Sequence, residues 1–338
     1  MGSWSVLLKQ PNNVISLPSS ILLTLLYADI FHYPYTFDEL VSWLPYRAVS
    51  QKKVQACIAV LQKRKKISVQ VPYIALYGHE EVIQKRERGE KYASLKWKKA
   101  RFASHILRCI PSILFIGVSG GLAVNNVERT DDIDFFICTK NKTIWSTRFL
   151  ATIILDCFGL RRHPKRADVK DMICMNMFIS ERSMPIPTKE RDIYSAHEVL
   201  QMVLLWERNH TYQLFLKKNK WVSHFFPGKW KELTEYYRRK WIHHHSDPPE
   251  HGEGTNWDSV INTVKRKITS GFVCLFRFFE QPIREIQQWY MEKRITSEIV
   301  SDSIIRFHPS DAHIWVRGVF EKKMKQYHLP LDKNFFHP

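Results

Sequence analysis

The chain has 338 residues, 44% of them hydrophobic and 13% aromatic, so it can bury real cores and is not a disordered polymer. A formal net charge of +18 favours polyanionic partners: nucleotides, nucleic acid or an anionic membrane surface. The apolar runs at 110–118 and 271–279 are too short or too interrupted to span a bilayer, and residue 1 opens no signal-peptide pattern.

Residues 1–16 read as an irregular leader. A first helix starts at Leu17, with Ser19 or Ser20 as cap and Ile21, Leu22, Leu25, Leu26 and Ile30 at helical spacing. Tyr33-Pro34-Tyr35 breaks it. Thr36 caps a short helix carrying Leu40, Val41 and Leu44, and Ser50 opens a third with Val54, Cys57, Ile58 and Leu61 on its apolar side. Two short β-like runs follow, 67–71 and 74–77, joined at Pro72. Three helices and a hairpin are the order of a winged helix, whose third helix and wing are its usual DNA-facing parts. Lys52, Lys53 and the run Lys63-Arg64-Lys65-Lys66 lie at the ends of that third helix. They suit phosphate contact, and equally a solvated face with cations at a helix C-terminus.

A long basic helix, 81–107, comes next. A buried strand at 113–118, a small-residue turn, a strand at 132–138, a helix at 143–158 and a strand at 172–179 then describe a small mixed α/β sheet. Beyond Ser183 the pattern is mainly helical: 192–205, 206–221, 230–241, 257–296 and 312–327, with 271–279 as a buried helix face. Residues 243–256 read as an exposed linker containing His243-His244-His245, which are solvated in such a context rather than metal ligands. The six cysteines (Cys57, Cys109, Cys138, Cys157, Cys174, Cys274) form no C-x-x-C and read as reduced core residues of a cytoplasmic protein.

The chemistry concentrates at Ser119-Gly120-Gly121, followed by Asn125-Asn126 and then Asp132-Ile133-Asp134. Two carboxylates two residues apart on a strand share one face, where they repel unless a cation joins them. Glycines just upstream leave room for phosphate near the backbone. Asn125 and Asn126 shape the spacer or touch substrate, or simply form a left-handed turn.

Gly120-Gly121 at the end of an apolar strand, with Asp132-x-Asp134 twelve residues on at the start of a second, resembles the nucleotidyltransferase superfamily with the DNA polymerase beta-like fold. The motif-bearing part covers about a quarter of the chain. The phrases Tyr27-Ala28-Asp29-Ile30-Phe31-His32-Tyr33-Pro34 and Arg191-Asp192-Ile193-Tyr194-Ser195-Ala196-His197-Glu198 also look like a prokaryotic group in which a winged-helix-like head precedes such a domain. The resemblance implies an α+β chain: a winged-helix-like domain at 17–80, a linking helix at 81–108, a nucleotidyltransferase core at 109–183 and a mainly helical region at 184–338, with the linker near 243–256.

It also implies a role for each site residue. Asp132 and Asp134 hold Mg²⁺ or Mn²⁺, and Ser119, Gly120, Gly121, Asn125 and Asn126 form the nucleotide cradle. A nucleoside monophosphate moves from an NTP to a hydroxyl acceptor. Members of the superfamily supply a third carboxylate from the next strand, and here that strand offers Asn176, a catalytic-site residue whose amide oxygen can coordinate Mg²⁺ but which brings neither charge nor a base. Asp168, Asp171 and Glu181, around the ends of that strand, are the carboxylates that could compensate; Glu198 on the following helix could also reach the cleft, but reads first as an ordinary exposed or capping glutamate. The alternative reading is a weak or inactive nucleotide sensor joined to a winged-helix regulator. DNA or tRNA is the nucleic-acid partner that either reading allows.

Overall fold

The computed structural model describes residues 15–163, 168–246, 256–292, 299–307 and 311–329. It is a mixed α+β fold containing a three-stranded and a six-stranded sheet.

The N-terminal part runs α1 (Leu17–Ile30), β1 (Tyr35–Thr36), α2 (Phe37–Ser42), α3 (Gln51–Lys63), β2 (Ile67–Gln70) and β3 (Tyr73–Leu76). Its starts are encoded locally. Ser16 accepts from the Ser19 amide at the head of α1, and Thr36 with Glu39 forms a reciprocal capping box on α2. The strands pair antiparallel in the order β1-β3-β2.

From Ser20 to Ile30, α1 is buried on every side, not along one stripe. The extra cover comes from the end of the chain, where α12 (Asp311–Gln326) packs on it and the Lys323 amine donates to Asp29.

Helix α4 (Glu81–Leu107) is more than a link. At its start the buried Arg86 forks onto both oxygens of Glu39, donates to the Pro34 carbonyl and lies over the rings of Tyr33 and Tyr73. One to four turns on, Gly89, Ala93, Lys96 and Ala100 face the second sheet's core.

That sheet has the order β7-β4-β5-β6-β9-β8, built from β4 (Ile113–Val118), β5 (Ile133–Thr139), β6 (Ile173–Ser180), β7 (Val203–Glu207), β8 (Ile299–Val300) and β9 (Ile304–Arg306). Among the described strands only β5 and β6 pair in parallel, with α6 (Ile144–Cys157) as the crossover. The other pairs are antiparallel.

One face of the sheet (Ile116, Val118, Ile133, Phe135, Ile137, Ile173, Phe178) packs with α4, α6 and α11 (Asn256–Glu292). Phe115, Cys138 and Ile179 join the other core with α7 (Ile193–Gln201), α8 (Thr211–Lys218) and α9 (Val222–Phe225). That second core runs on without a break into α1, α2 and α3, and α10 (Pro227–Ser246) borders it through Trp230, Leu233 and Tyr237.

Several expectations need correction. Residues 203–207 form an edge strand on β4, not the end and start of two helices. Helix α7 stops at Gln201, and Val203-Leu204-Leu205-Trp206 is a short apolar run that fits either period. The tail contributes β8 and β9, whose runs are too short to announce themselves. The first part of the expected linker is helical, because α10 continues through His243, His244 and His245 to Ser246; residues 247–255 lie outside those described, as do the histidine side chains.

The run 271–279 is not a buried face. Helix α11 docks through Val273, Phe276, Glu280, Ile283, Gln287 and Met291, leaving Leu275, Phe278 and Phe279 exposed. The cysteines are free, yet only Cys138 is buried; Cys109, Cys157 and Cys274 are exposed.

Candidate active site

The turn and the acidic strand meet through the backbone. The Ser119 amide donates to the Asp134 carbonyl at 3.0 Å, continuing the β4–β5 ladder one step past Val118 and Phe135. Gly120 then turns with φ +65°, the left-handed region that favours glycine. A Cβ there would lie 2.8 Å from Asp134 Oδ2, so the carboxylate rests directly on the turn. Gly121 is fixed as closely: its Cβ would meet the Asn126 carbonyl at 2.6 Å. The helix that follows, α5 (Gly120–Ala123), is a single turn.

Asp132 and Asp134 point the same way, as their spacing requires. One oxygen from each, together with Cys174 Sγ, forms a group whose atoms lie within 4.8 Å of one another. Strand register explains the thiol: Asp134 pairs with Cys174, and the ladder then breaks before Phe136 pairs with Met177. Asn176 sits in that irregularity, buried, with its carbonyl accepting from the Phe307 amide. Cys174, not Asn176, therefore stands level with Asp134.

Arg162 closes the group on one side. Its Nη1 lies 2.8 Å from Asp132 Oδ2 and 3.6 Å from Cys174 Sγ. The pair is partly solvated, so it contributes little stability. Burial, and then the charges of Asp134 and Asp132, push the Cys174 thiol up to about 12. Without a bound cation it is a neutral thiol.

The asparagines do structural work. Asn125 holds the left-handed turn at φ +57°, and its Oδ1 accepts from Trp97 Nε1 at 2.7 Å. Asn126 Nδ2 donates to the Phe31 carbonyl at 2.9 Å, tying the spacer to the end of α1.

Three of the four nearby carboxylates are committed elsewhere. Asp168 accepts from the Lys170 amide in its own loop, Asp171 pairs with Lys96 and Lys99, and Glu181 accepts from the Asn141 amide at the far end of β6. Glu198 on α7 is different. Its side chain is exposed to solvent while protein crowds round it. This crowding, and then the charge of Asp134, pushes its carboxyl up to about 7. Its neighbour His197 is held neutral by burial between the rings of Tyr27 and Trp43.

Cys174 and Arg162 were not legible as site residues. Cys174 follows from strand register, whereas Arg162 carries no local signal. Two hard carboxylates on one face with a softer thiol beside them are a set that could hold a metal ion, and Arg162 already offsets part of their charge through Asp132. Scanned against protein-family models, curated proteins and solved structures, the chain matches none of them.

Proposed function

We propose that the chain binds an NTP with a divalent cation, Mg²⁺ or Mn²⁺, and transfers its nucleotidyl group to a hydroxyl acceptor. One observation carries this reading: the carboxylate of Asp134 rests against the Gly120 turn, so the acidic pair and the glycine turn adjoin. The cation, when bound, offsets charge on the phosphates and on the departing pyrophosphate.

Asp132 and Asp134 hold that cation beside the Gly120-Gly121 turn. Arg162 supplies a second positive group at the same edge. The acceptor oxygen forms a bond to the α-phosphorus as the bond from that phosphorus to the bridging oxygen breaks and pyrophosphate leaves. The acceptor's proton passes to Glu198, the one nearby carboxylate both raised toward neutrality and open to solvent.

Transfer of label from α-³²P-NTP, with Mg²⁺ or Mn²⁺, to protein, tRNA and small polyol acceptors tests the reading. Loss of transfer in Asp132→Ala and Asp134→Ala supports it. Equal transfer by both variants overturns it.

A second reading has its own support. Neither Cys174 nor Asn176 brings the charge of a third carboxylate, which favours a nucleotide sensor without turnover. The exposed Lys63, Arg64, Lys65 and Lys66 at the end of α3 favour a nucleic-acid partner for the winged-helix-like part. Salt-dependent anisotropy of labelled duplex DNA, lost on neutralising those four residues and accompanied by no label transfer, would single out the sensor.

A further inference from the structure

Lys96 lies in the middle of α4 and is 1% exposed. An amine at such depth is costly unless each of its three N–H bonds finds an acceptor. Here each does. Lys96 Nζ donates to the Asp131 carbonyl at 2.5 Å, to Asp171 Oδ1 at 2.8 Å and to the Arg129 carbonyl at 3.4 Å.

The acceptors come from two loops. Arg129 and Asp131 belong to the segment that ends at Asp132; Asp171 belongs to the segment that ends three residues later at Cys174. The same loops are stitched to each other by the Asp171 amide on the Asp131 carbonyl at 3.0 Å and the Ile133 amide on the Met172 carbonyl at 2.8 Å. Asp171 also sits at φ +57°, a backbone conformation that needs support in a residue other than glycine.

Helix α4 presses on the spacer loop at two further points. Gly89 packs so tightly that a Cβ would meet the Asn125 and Val127 backbone at 3.1–3.2 Å, and Trp97 holds Asn125.

We propose that Lys96 is a positioning residue of the cation site. It fixes the entry of β5 against the entry of β6, and so sets the distance between the Asp132 and Asp134 carboxylates and the Cys174 side. A well-packed apolar residue would fill the place at equal or lower cost, which makes geometry the thing that an amine with two loops on it supplies. The inference rests on the reading that Asp132 and Asp134 hold the cation.

Mn²⁺ binding to the full chain, followed by the EPR signal of free Mn²⁺ below each variant's melting temperature, tests it. Asp132→Ala tests the parent reading, and Arg86→Met is a destabilised control on the same helix, remote from the site. Lys96→Met should weaken Mn²⁺ at least tenfold, while Arg86→Met loses thermal stability yet stays within twofold of the wild type. Asp171→Asn, which loosens only the β6 side, should lose threefold to tenfold and gives the answer if Lys96→Met does not fold. Lys96→Met or Asp171→Asn binding Mn²⁺ like the wild type, while Asp132→Ala does not, overturns the positioning role alone. No Mn²⁺ binding by the wild type overturns both readings.

Discussion

Gly120 and Asp134 are in mutual contact: the place a side chain would take at Gly120 is 2.8 Å from Asp134 Oδ2. Gly120→Ala therefore carries two penalties, a left-handed backbone that alanine resists and displacement of a carboxylate. A stability loss of about 1–2 kcal/mol is expected from the backbone term. Nucleotide and metal binding should fall further than stability alone accounts for. Thermal melts beside Mn²⁺ titration separate the two, and an alanine variant that binds Mn²⁺ normally would show that Asp134 is not anchored by this contact.

Glu198 gives a pH dependence with a definite sign. Its folded carboxyl is raised to about 7 from an ordinary 4.5, first by burial and then by Asp134. A raised acid favours the folded state at low pH, and that stability is lost as pH rises through the folded value. Glu198→Gln should match the wild type near pH 4 and exceed it near pH 8, by on the order of 1 kcal/mol after discounting for the solvent contact the group keeps. Nucleotidyl transfer, if Glu198 takes the proton, should fall steeply in the same variant. A variant whose stability difference is flat between pH 4 and pH 8 contradicts the placement.

Arg86 holds the N-terminal part to α4. Burial alone disfavours its charge and that of Glu39, but their hydrogen bonds and mutual attraction outweigh it, lowering the Glu39 carboxyl and raising the guanidinium. Removing one partner strands the other, so Arg86→Met should cost about 3–5 kcal/mol. Chemical denaturation measures it. A cost below 1 kcal/mol would mean that the pair is dispensable to the junction.

Much of the architecture could be read from local patterns. The starts of α1 to α4 and the strand at 113–118 stand where the apolar period places them, although Ser16, not Ser19 or Ser20, caps α1 and Ser50 makes no side-chain cap bond. What failed was long-range. The 203–207 run becomes a strand only because β4 leaves an open edge, and α1 is buried all round only because α12 returns to it from the end of the chain. The site divides the same way. The Gly-Gly turn and the two aspartates are adjacent in sequence terms, but Cys174 depends on register across a parallel pair and Lys96 on a helix laid across two loops.

Cys174 invites a change of metal preference. A thiol between two carboxylates suits Mn²⁺ or Zn²⁺ better than Mg²⁺, whereas a third carboxylate suits the harder ion. Cys174→Asp should raise Mg²⁺ affinity at least fivefold and narrow the gap between Mn²⁺ and Mg²⁺, measured by competition calorimetry. An unchanged Mn²⁺-to-Mg²⁺ ratio would place the thiol outside the coordination sphere.

The most direct test of the cation–nucleotide site is calorimetric binding of a non-hydrolysable ATP or GTP analogue with Mn²⁺, in the wild type and in the Asp132→Ala/Asp134→Ala double variant. Wild-type binding that requires Mn²⁺, weakened at least a hundredfold in a double variant of native circular dichroism, is the expected result. Nucleotide binding that is independent of Mn²⁺ and equal in the two proteins contradicts it.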